Sequence, residues 1–144
     1  MHRQLQVVSH SEEETRALAQ KLAKHIQDPE VVVLTGALGS GKTVFVRGLA
    51  AALAIDEALV NSPSFTVANE YSGTRTLYHL DLYRVDDPSH LHEIGWDDYL
   101  ARGGLLVVEW GEKAQGFLPR RYYLVQFRIL DEHEREIIIS LVQT

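Results

Sequence analysis

Four residues in one short segment have the types and the spacing of a phosphate-binding loop. Gly36, Gly41, Lys42 and Thr43 fit the pattern G-x-x-x-x-G-K-[ST]. Glycines let the backbone form a concave nest whose N–H groups point at one anion, and the lysine adds a positive charge for the β- and γ-phosphates. The threonine hydroxyl can ligate Mg²⁺. The segment therefore predicts a site for a nucleoside triphosphate, with the lysine in an exposed loop.

A strand and a helix flank this loop, as a phosphate site requires. Residues 31–34 are apolar and mostly β-branched, which predicts a strand buried on both faces. Residues 44–54 have the periodicity of a helix, with Phe45, Leu49, Ala52 and Leu53 on its apolar side. The positive end of that helix would face the phosphates.

Two acidic residues are candidates for the remaining chemistry. Glu109 follows the apolar residues 105–108, and an acid at the end of a buried strand can hold Mg²⁺ beside a phosphate loop. Asp81 lies late in a predicted hairpin strand, where His79 shares its face and is expected to steady it. We favour Glu109 for the metal and Asp81 for orienting the attacking water, and the sequence also allows the exchanged roles. Arg84, three residues after Asp81, is a candidate for a charge on the γ-phosphate.

The other predicted elements indicate an α/β fold with a mixed sheet. A capping box predicts a helix from Ser11 to about Gln27. Strands at residues 65–71 and 74–83 form one predicted antiparallel hairpin, and strands at 122–130 and 135–141 form another. Hairpins are informative here, because α/β nucleotide-binding folds more often continue with a strand–helix–strand crossover.

Composition limits the possible functions. A chain of 144 residues is expected to be a single domain over residues 1–144. Its net charge of −6 argues against a broad basic surface for nucleic acid, and its lack of cysteine excludes disulfides and thiolate metal sites. The N-terminus has no signal-like apolar segment, and the apolar residues 49–55 are too few to span a bilayer. We therefore expect a soluble, cytoplasmic protein with no membrane partner.

Four sequence blocks together resemble one known family. They are the phosphate loop at residues 36–43, Ser-Pro-Ser-Phe-Thr at 62–66, His-Leu-Asp-Leu-Tyr-Arg at 79–84 and Val-Glu-Trp at 108–110. In this order they resemble the bacterial TsaE (YjeE) family, the ATPase of tRNA threonylcarbamoyladenosine synthesis. The resemblance extends over nearly the whole chain.

The resemblance implies a P-loop NTPase-like domain with antiparallel additions, and Mg²⁺ and ATP as ligands. It also implies slow ATP hydrolysis that supports the TsaB and TsaD proteins. These proteins modify adenosine 37 of tRNAs that read codons starting with A. Contact with tRNA would then be indirect.

The same resemblance assigns roles to individual residues. Lys42, Asp81 and Glu109 are the implied catalytic residues, with Thr43 and Glu109 as metal ligands. The start of the first helix, near Ser11, is implied to approach the adenosine moiety. The implied nucleotide-binding residues are Ser11, Gly36, Ala37, Leu38, Gly39, Ser40, Gly41, Lys42 and Thr43.

A second group of residues is implied to respond to the nucleotide. Ser62, Ser64 and Thr66 match a switch loop, and Trp110 matches a residue beside the site. Ser64 replaces a threonine of the family pattern but keeps a hydroxyl. Ala37 replaces the usual acid after the first glycine, so any role of that acid is lost here.

Other functions compete for the same loop. A small-molecule kinase has the same phosphate loop but needs an acceptor pocket, and a nucleotide-dependent binding module needs no hydrolysis at all. A GTPase is disfavoured, because the chain has neither Asn-Lys-x-Asp nor Asp-x-x-Gly.

Overall fold

The computed structural model of the chain describes residues 3–26, 30–37, 39–60, 68–83, 85–93, 95–114 and 116–143. This part of the chain forms seven strands, three α-helices and three short 3-10 helices. The 3-10 helices are Glu57–Leu59, Pro88–Leu91 and Gly111–Ala114. The strands and α-helices are β1 (Arg3–Ser9), α1 (Glu12–His25), β2 (Glu30–Thr35), α2 (Lys42–Ala52), β3 (Ala68–Tyr71), β4 (Leu77–Asp81), α3 (Trp96–Ala101), β5 (Leu105–Glu109), β6 (Arg121–Ile129) and β7 (Arg135–Gln143).

The described strands form one mixed sheet in the order β1-β7-β6-β2-β5-β4-β3. Its centre is parallel, because β2 pairs in parallel with β5 and β6, and β5 pairs in parallel with β4. Antiparallel pairs flank this centre: β3 with β4, β6 with β7, and β7 with β1. The predicted α/β class, with a mixed sheet and antiparallel hairpins, is confirmed.

Apolar layers cover both faces of the central strands. On one face, Val32 and Val107 pack with Phe45 under α1 and α2. On the other face, Val33 packs with Trp96 under α3 and the neighbouring short helices. All five residues of β5 are buried, as the continuous apolar run predicted.

The helix before the central strand starts where the capping box predicted. Ser11 Oγ accepts a hydrogen bond from the backbone N–H of Glu14 (3.1 Å), and Glu14 Oε2 accepts one from the backbone N–H of His10 (2.7 Å). α1 then packs directly on α2. At Gly48 the two helices are so close that a Cβ would lie 2.5 Å from the carbonyl oxygen of Arg16, so a glycine is required there.

The strand that carries Asp81 is shorter than predicted at both ends. The backbone N–H of Thr74 donates to the carbonyl oxygen of Leu53 (2.7 Å), which holds the turn before β4 against the end of α2. At the other end, Asp81 Oδ1 accepts from the backbone N–H of Tyr83 (2.9 Å). Such a side-chain bond two residues ahead forms a turn, so the chain leaves the sheet after Asp81.

One smaller prediction, the place of Ala52 on the apolar side of α2, was wrong. Ala52 is exposed, because the buried stripe of α2 follows Phe45, Leu49 and Leu53 and turns Ala52 away from the sheet. Residues 65–67 of the predicted β3 lie outside the described residues. None of the helices in the described part combines the length and the apolar character that crossing a membrane requires.

Candidate functional site

The loops that follow five strands meet at one edge of the sheet. β4, β5, β2 and β6 run in the same direction, and the antiparallel pairings through β7 give β1 that direction too. Parallel α/β sheets bind ligands at the carboxyl ends of their strands. Here that edge contains a cleft of about 370 Å³.

The predicted phosphate loop forms the floor of this cleft. It leaves β2 after Thr35 and enters α2 through Gly41, whose φ of 105° is a left-handed conformation that favours glycine. In the described residues no side chain caps the first turn of α2, and that turn contains no acidic residue. The positive end of the helix therefore faces the cleft, beside the side chain of Thr43.

Lys42 is buried, which corrects the expectation of an exposed loop. It is the first residue of α2 and only 5% exposed. Its Nζ donates to the carbonyl oxygen of Gly36 (2.8 Å) and lies 4.5 Å from the centroid of the Trp110 ring. The carbonyl and the aromatic face together compensate for removing the ammonium group from water.

Trp110 lies beside the site, where the sequence placed it. Its backbone has φ of 60°, a left-handed conformation that costs about 1–2 kcal/mol for a residue with a Cβ. The ring packs against Tyr83 with centroids 5.1 Å apart, and Lys113 Nζ donates to the Tyr83 carbonyl oxygen. The strained turn is thus held where it places an aromatic ring over Lys42.

Glu109 ends β5 in the cleft and is almost completely buried. Its Oε2 lies 2.5 Å from Nε2 of His79, which is also fully buried. We expected His79 to steady Asp81, but the hydrogen-bond partner of His79 is Glu109. His79 shares a face of the sheet with Asp81, but its hydrogen bond crosses to the neighbouring strand.

Asp81 ends β4 directly beside Glu109, its register partner. Burial raises the pKa of the Asp81 carboxyl, and the Glu109 carboxylate raises this pKa further. The hydrogen bond from the Tyr83 backbone N–H opposes these effects, as does the positive charge of Lys42. A carboxyl with these surroundings is a better proton acceptor than an ordinary aspartate.

The type of strand does not distinguish the two acids. β4 is antiparallel to β3 but parallel to β5, so Asp81 and Glu109 both occupy the carboxyl ends of parallel neighbours. They differ in burial and in partner: Glu109 is buried against His79, whereas Asp81 is half-buried and bonded to backbone.

The start of α1 supplies a second wall of the cleft. Ser11 and Glu12 line it together with Thr15, whose Oγ1 lies 2.7 Å from Oγ of the buried Ser9. Ser11 therefore lies at the cleft, and its approach to the adenosine moiety stays a prediction. Its side chain is already engaged as the helix cap.

The turn between β6 and β7 forms a third wall that the sequence did not reveal. Glu132, His133 and Arg135 line the cleft, and an Arg135 guanidinium nitrogen donates to the carbonyl oxygen of Gly39 (3.2 Å). The sequence predicted the hairpin but not its place. The missing information was the parallel pairing of β6 with β2, which brings the turn to the phosphate loop.

Several predicted site residues do not line the cleft or cannot be placed. Gly36, Ala37 and Ser40 belong to the loop without lining the cleft. The following predicted residues lie outside the described part of the chain: Leu38, Ser62, Ser64, Thr66 and Arg84.

The raised pKa of Asp81 predicts a pH-dependent effect on stability. The folded protein holds this proton more tightly than the unfolded chain, so the group favours folding most at acid pH and less as pH rises through its folded-state pKa. Asparagine cannot ionise and keeps the acceptor for the Tyr83 N–H. Asp81→Asn is therefore expected to unfold at higher urea concentration than the parent near neutral pH, with the difference vanishing at acid pH.

The measurement is urea unfolding across a pH series in buffer free of metal and nucleotide. Asp86→Asn, at an exposed position, is the control and should change stability by less than about 0.5 kcal/mol. A neutral-pH destabilisation by Asp81→Asn would contradict the prediction.

Comparison with known proteins assigns the chain to a family. A model of the threonylcarbamoyl adenosine biosynthesis protein TsaE matches residues 9–137. The chain is 37% identical over 136 residues to TsaE of Treponema pallidum (94% of this chain, 100% of the relative) and 39% identical over 136 residues to TsaE of Aquifex aeolicus (93% and 94%). It also resembles the crystal structure of YdiB from Bacillus subtilis, with a TM-score of 0.79 and 33% identity over 99% of this chain and 88% of that one. The chain belongs to the TsaE family of tRNA threonylcarbamoyladenosine biosynthesis proteins.

Proposed function

We propose that this protein binds ATP with Mg²⁺ in the cleft and hydrolyses it slowly in support of tRNA threonylcarbamoyladenosine synthesis. One observation carries the proposal: a phosphate loop with a buried lysine faces two carboxylates at the ends of neighbouring parallel strands. Such an arrangement places positive groups where phosphates bind and acids where a metal and a water are needed. The work on tRNA would place the protein in the cytoplasm.

The phosphates would occupy the nest in front of α2. Lys42 would exchange the Gly36 carbonyl oxygen for phosphate oxygens, which are anionic and therefore stronger partners for its ammonium group. The N-terminal end of α2 would add its dipole to this charge. The adenosine moiety would extend towards Ser11 and Thr15, where Arg135 and His133 complete the opposite wall.

The oxygen ligands of the cleft fit Mg²⁺. Glu109 and Thr43 would hold the ion, which would neutralise charge on the phosphates. In the described residues no group of three or more His, Asp or Glu side chains can enclose a metal by itself. This matches Mg²⁺, which usually takes one or two protein ligands and completes its shell with phosphates and water.

Asp81 would position the water that attacks the γ-phosphorus. Its carboxylate can accept a hydrogen bond from that water, and its raised pKa makes it a better acceptor. The water oxygen bonds to the γ-phosphorus as the bond to the β–γ bridging oxygen breaks. The isolated protein is expected to turn over on the order of once per minute or less, far below a median enzyme.

We favour hydrolysis over a kinase reaction because the β3–β4 hairpin and the short helices after it occupy the stretch where a kinase usually carries an arginine-bearing lid. A second cavity of about 300 Å³ is lined by Val33, Thr35 and Leu124. These residues belong to the face of the sheet opposite α2. A nucleotide-dependent binding module remains the other candidate, and only turnover separates it from the ATPase.

The proposed partners are the TsaB and TsaD proteins, with tRNA contacted only through them. The residues implied to read the nucleotide, Ser62, Ser64 and Thr66, follow the short helix that ends at Leu59 and precede β3. A segment that contacts the γ-phosphate in one state and not in the other would change a docking surface, as in other phosphate-loop switches.

Removing the lysine tests the nucleotide site. Lys42→Ala is expected to weaken ATP binding by on the order of 100-fold or more, because charged hydrogen bonds contribute about 1.5–3 kcal/mol each and the mutation removes more than one. Calorimetric titration with ATP measures this. Lys21→Ala, on the exposed side of α1, is the control and should bind as the parent does. Equal ATP affinity of Lys42→Ala and the parent would refute the site.

Separate substitutions of the two acids test their roles. Glu109→Gln is expected to reduce the gain in ATP affinity that Mg²⁺ provides. Asp81→Asn should keep Mg-ATP binding and lower turnover by about 100-fold or more, the range of a lost general base. Calorimetry and release of labelled phosphate measure the two effects. If Asp81→Asn loses affinity for Mg-ATP and Glu109→Gln keeps it, the roles are exchanged.

Partner binding tests why ATP is hydrolysed. The TsaB–TsaD complex is expected to bind the ATP form of the protein at least about tenfold more tightly than the ADP form, a coupling of roughly 1.4 kcal/mol. A titration uses a non-hydrolysable ATP analogue and ADP in parallel, with Lys42→Ala as the variant that should show no difference. Equal affinities of the parent in both states would argue against a nucleotide switch.

A further inference from the structure

One buried histidine has no place in the proposed chemistry so far. His79 is fully buried in β4, and its Nε2 lies 2.5 Å from Oε2 of Glu109. A buried carboxylate needs a hydrogen-bond donor to offset its loss of solvation. His79 supplies that donor from the neighbouring strand.

The second ring nitrogen of His79 shows how the proton must be arranged. Nδ1 is buried and has no hydrogen-bond partner among the residues that the structure describes. The proton therefore belongs on Nε2, where a carboxylate oxygen accepts its hydrogen bond. An unpartnered acceptor at Nδ1 costs less free energy than an unpartnered N–H donor there would. The bond takes one lone pair of Oε2 and leaves the other acceptor positions of the Glu109 carboxylate for a cation.

Strand register makes this contact specific. His79 and Asp81 lie two residues apart on one face of β4, and Asp81 is the register partner of Glu109. The Glu109 side chain therefore has a carboxylate beside it at the edge of the sheet and an imidazole one step further inside. Repulsion from Asp81 and attraction to His79 favour the same orientation of Glu109.

We propose that His79 is a positioning residue that holds the Glu109 carboxylate in the orientation that binds a divalent cation, a role that rests on the proposed binding of Mg-ATP. His79 acts through Glu109 and touches neither phosphate nor water. Removing a group that orients a metal ligand in this way typically lowers metal affinity by about 10–100-fold.

The experiment measures ATP affinity by calorimetry with saturating Mg²⁺ and with chelator. The ratio of the two affinities measures how much Mg²⁺ contributes to ATP binding. The affinity in chelator measures what the phosphate loop contributes without the metal. His79→Leu and His79→Asn remove a donor that can reach Glu109, and His79→Gln keeps one of similar length. Leu80→Val, buried on the opposite face of β4, is a control for loss of packing.

We expect His79→Leu and His79→Asn to lower the affinity ratio by about 10–100-fold, with the affinity in chelator unchanged. His79→Gln should retain most of the ratio and Leu80→Val all of it. In a Glu109→Gln background, His79→Asn should have no further effect. A wild-type ratio in His79→Asn, equal losses in chelator and Mg²⁺, or equal ratios for the Asn and Gln variants would overturn the proposal.

The outcomes also separate this inference from the proposed function. If the parent protein gains no ATP affinity from Mg²⁺, the proposed function fails and the role of His79 fails with it. If the parent gains affinity and the His79 variants keep that gain, only the inference about His79 is wrong.

Discussion

Parallel pairing of β4, β5, β2 and β6 is the constraint on which the site depends. It brings the ends of these strands, and the loops that follow them, to one edge of the sheet. Each strand alternates its side chains between two faces, so a shift of β4 by one residue against β5 would move His79 and Asp81 to the wrong face. The continuous apolar sequence of β2 and β5 supports this pairing, because both strands are buried on both sides.

Two opposite charges are buried at the carboxyl-terminal edge of the parallel strands. Lys42 and Glu109 are both nearly inaccessible, and each has a local partner that offsets the loss of water: the Gly36 carbonyl oxygen for Lys42 and His79 for Glu109. Electrostatic effects are stronger in such surroundings than in water. Asp81 lines the cleft and is half-buried, and this burial, with the Glu109 carboxylate beside it, raises the pKa of the Asp81 carboxyl.

The sequence predicted what depends on local pattern. The phosphate loop, the buried strand before it and Glu109 at the end of an apolar run follow from residue types at fixed spacing. It did not predict what depends on neighbours in space. The partner of His79 is set by the register of β4 on β5, and Arg135 reaches Gly39 only because β6 lies beside β2. Likewise, the burial of Lys42 depends on the position of Trp110.

The left-handed backbone of Trp110 has a consequence for spectroscopy. The protein has two tryptophans, and Trp96 is almost completely buried, where its Nε1–H donates to the Phe117 carbonyl oxygen. Trp110 instead holds its indole ring 4.5 Å from the Lys42 ammonium nitrogen. Any ligand that draws Lys42 away changes the electric field on that ring, whereas Trp96 is buried and has no such contact with Lys42. The chain thus contains its own fluorescent reporter of the phosphate loop, together with an internal reference.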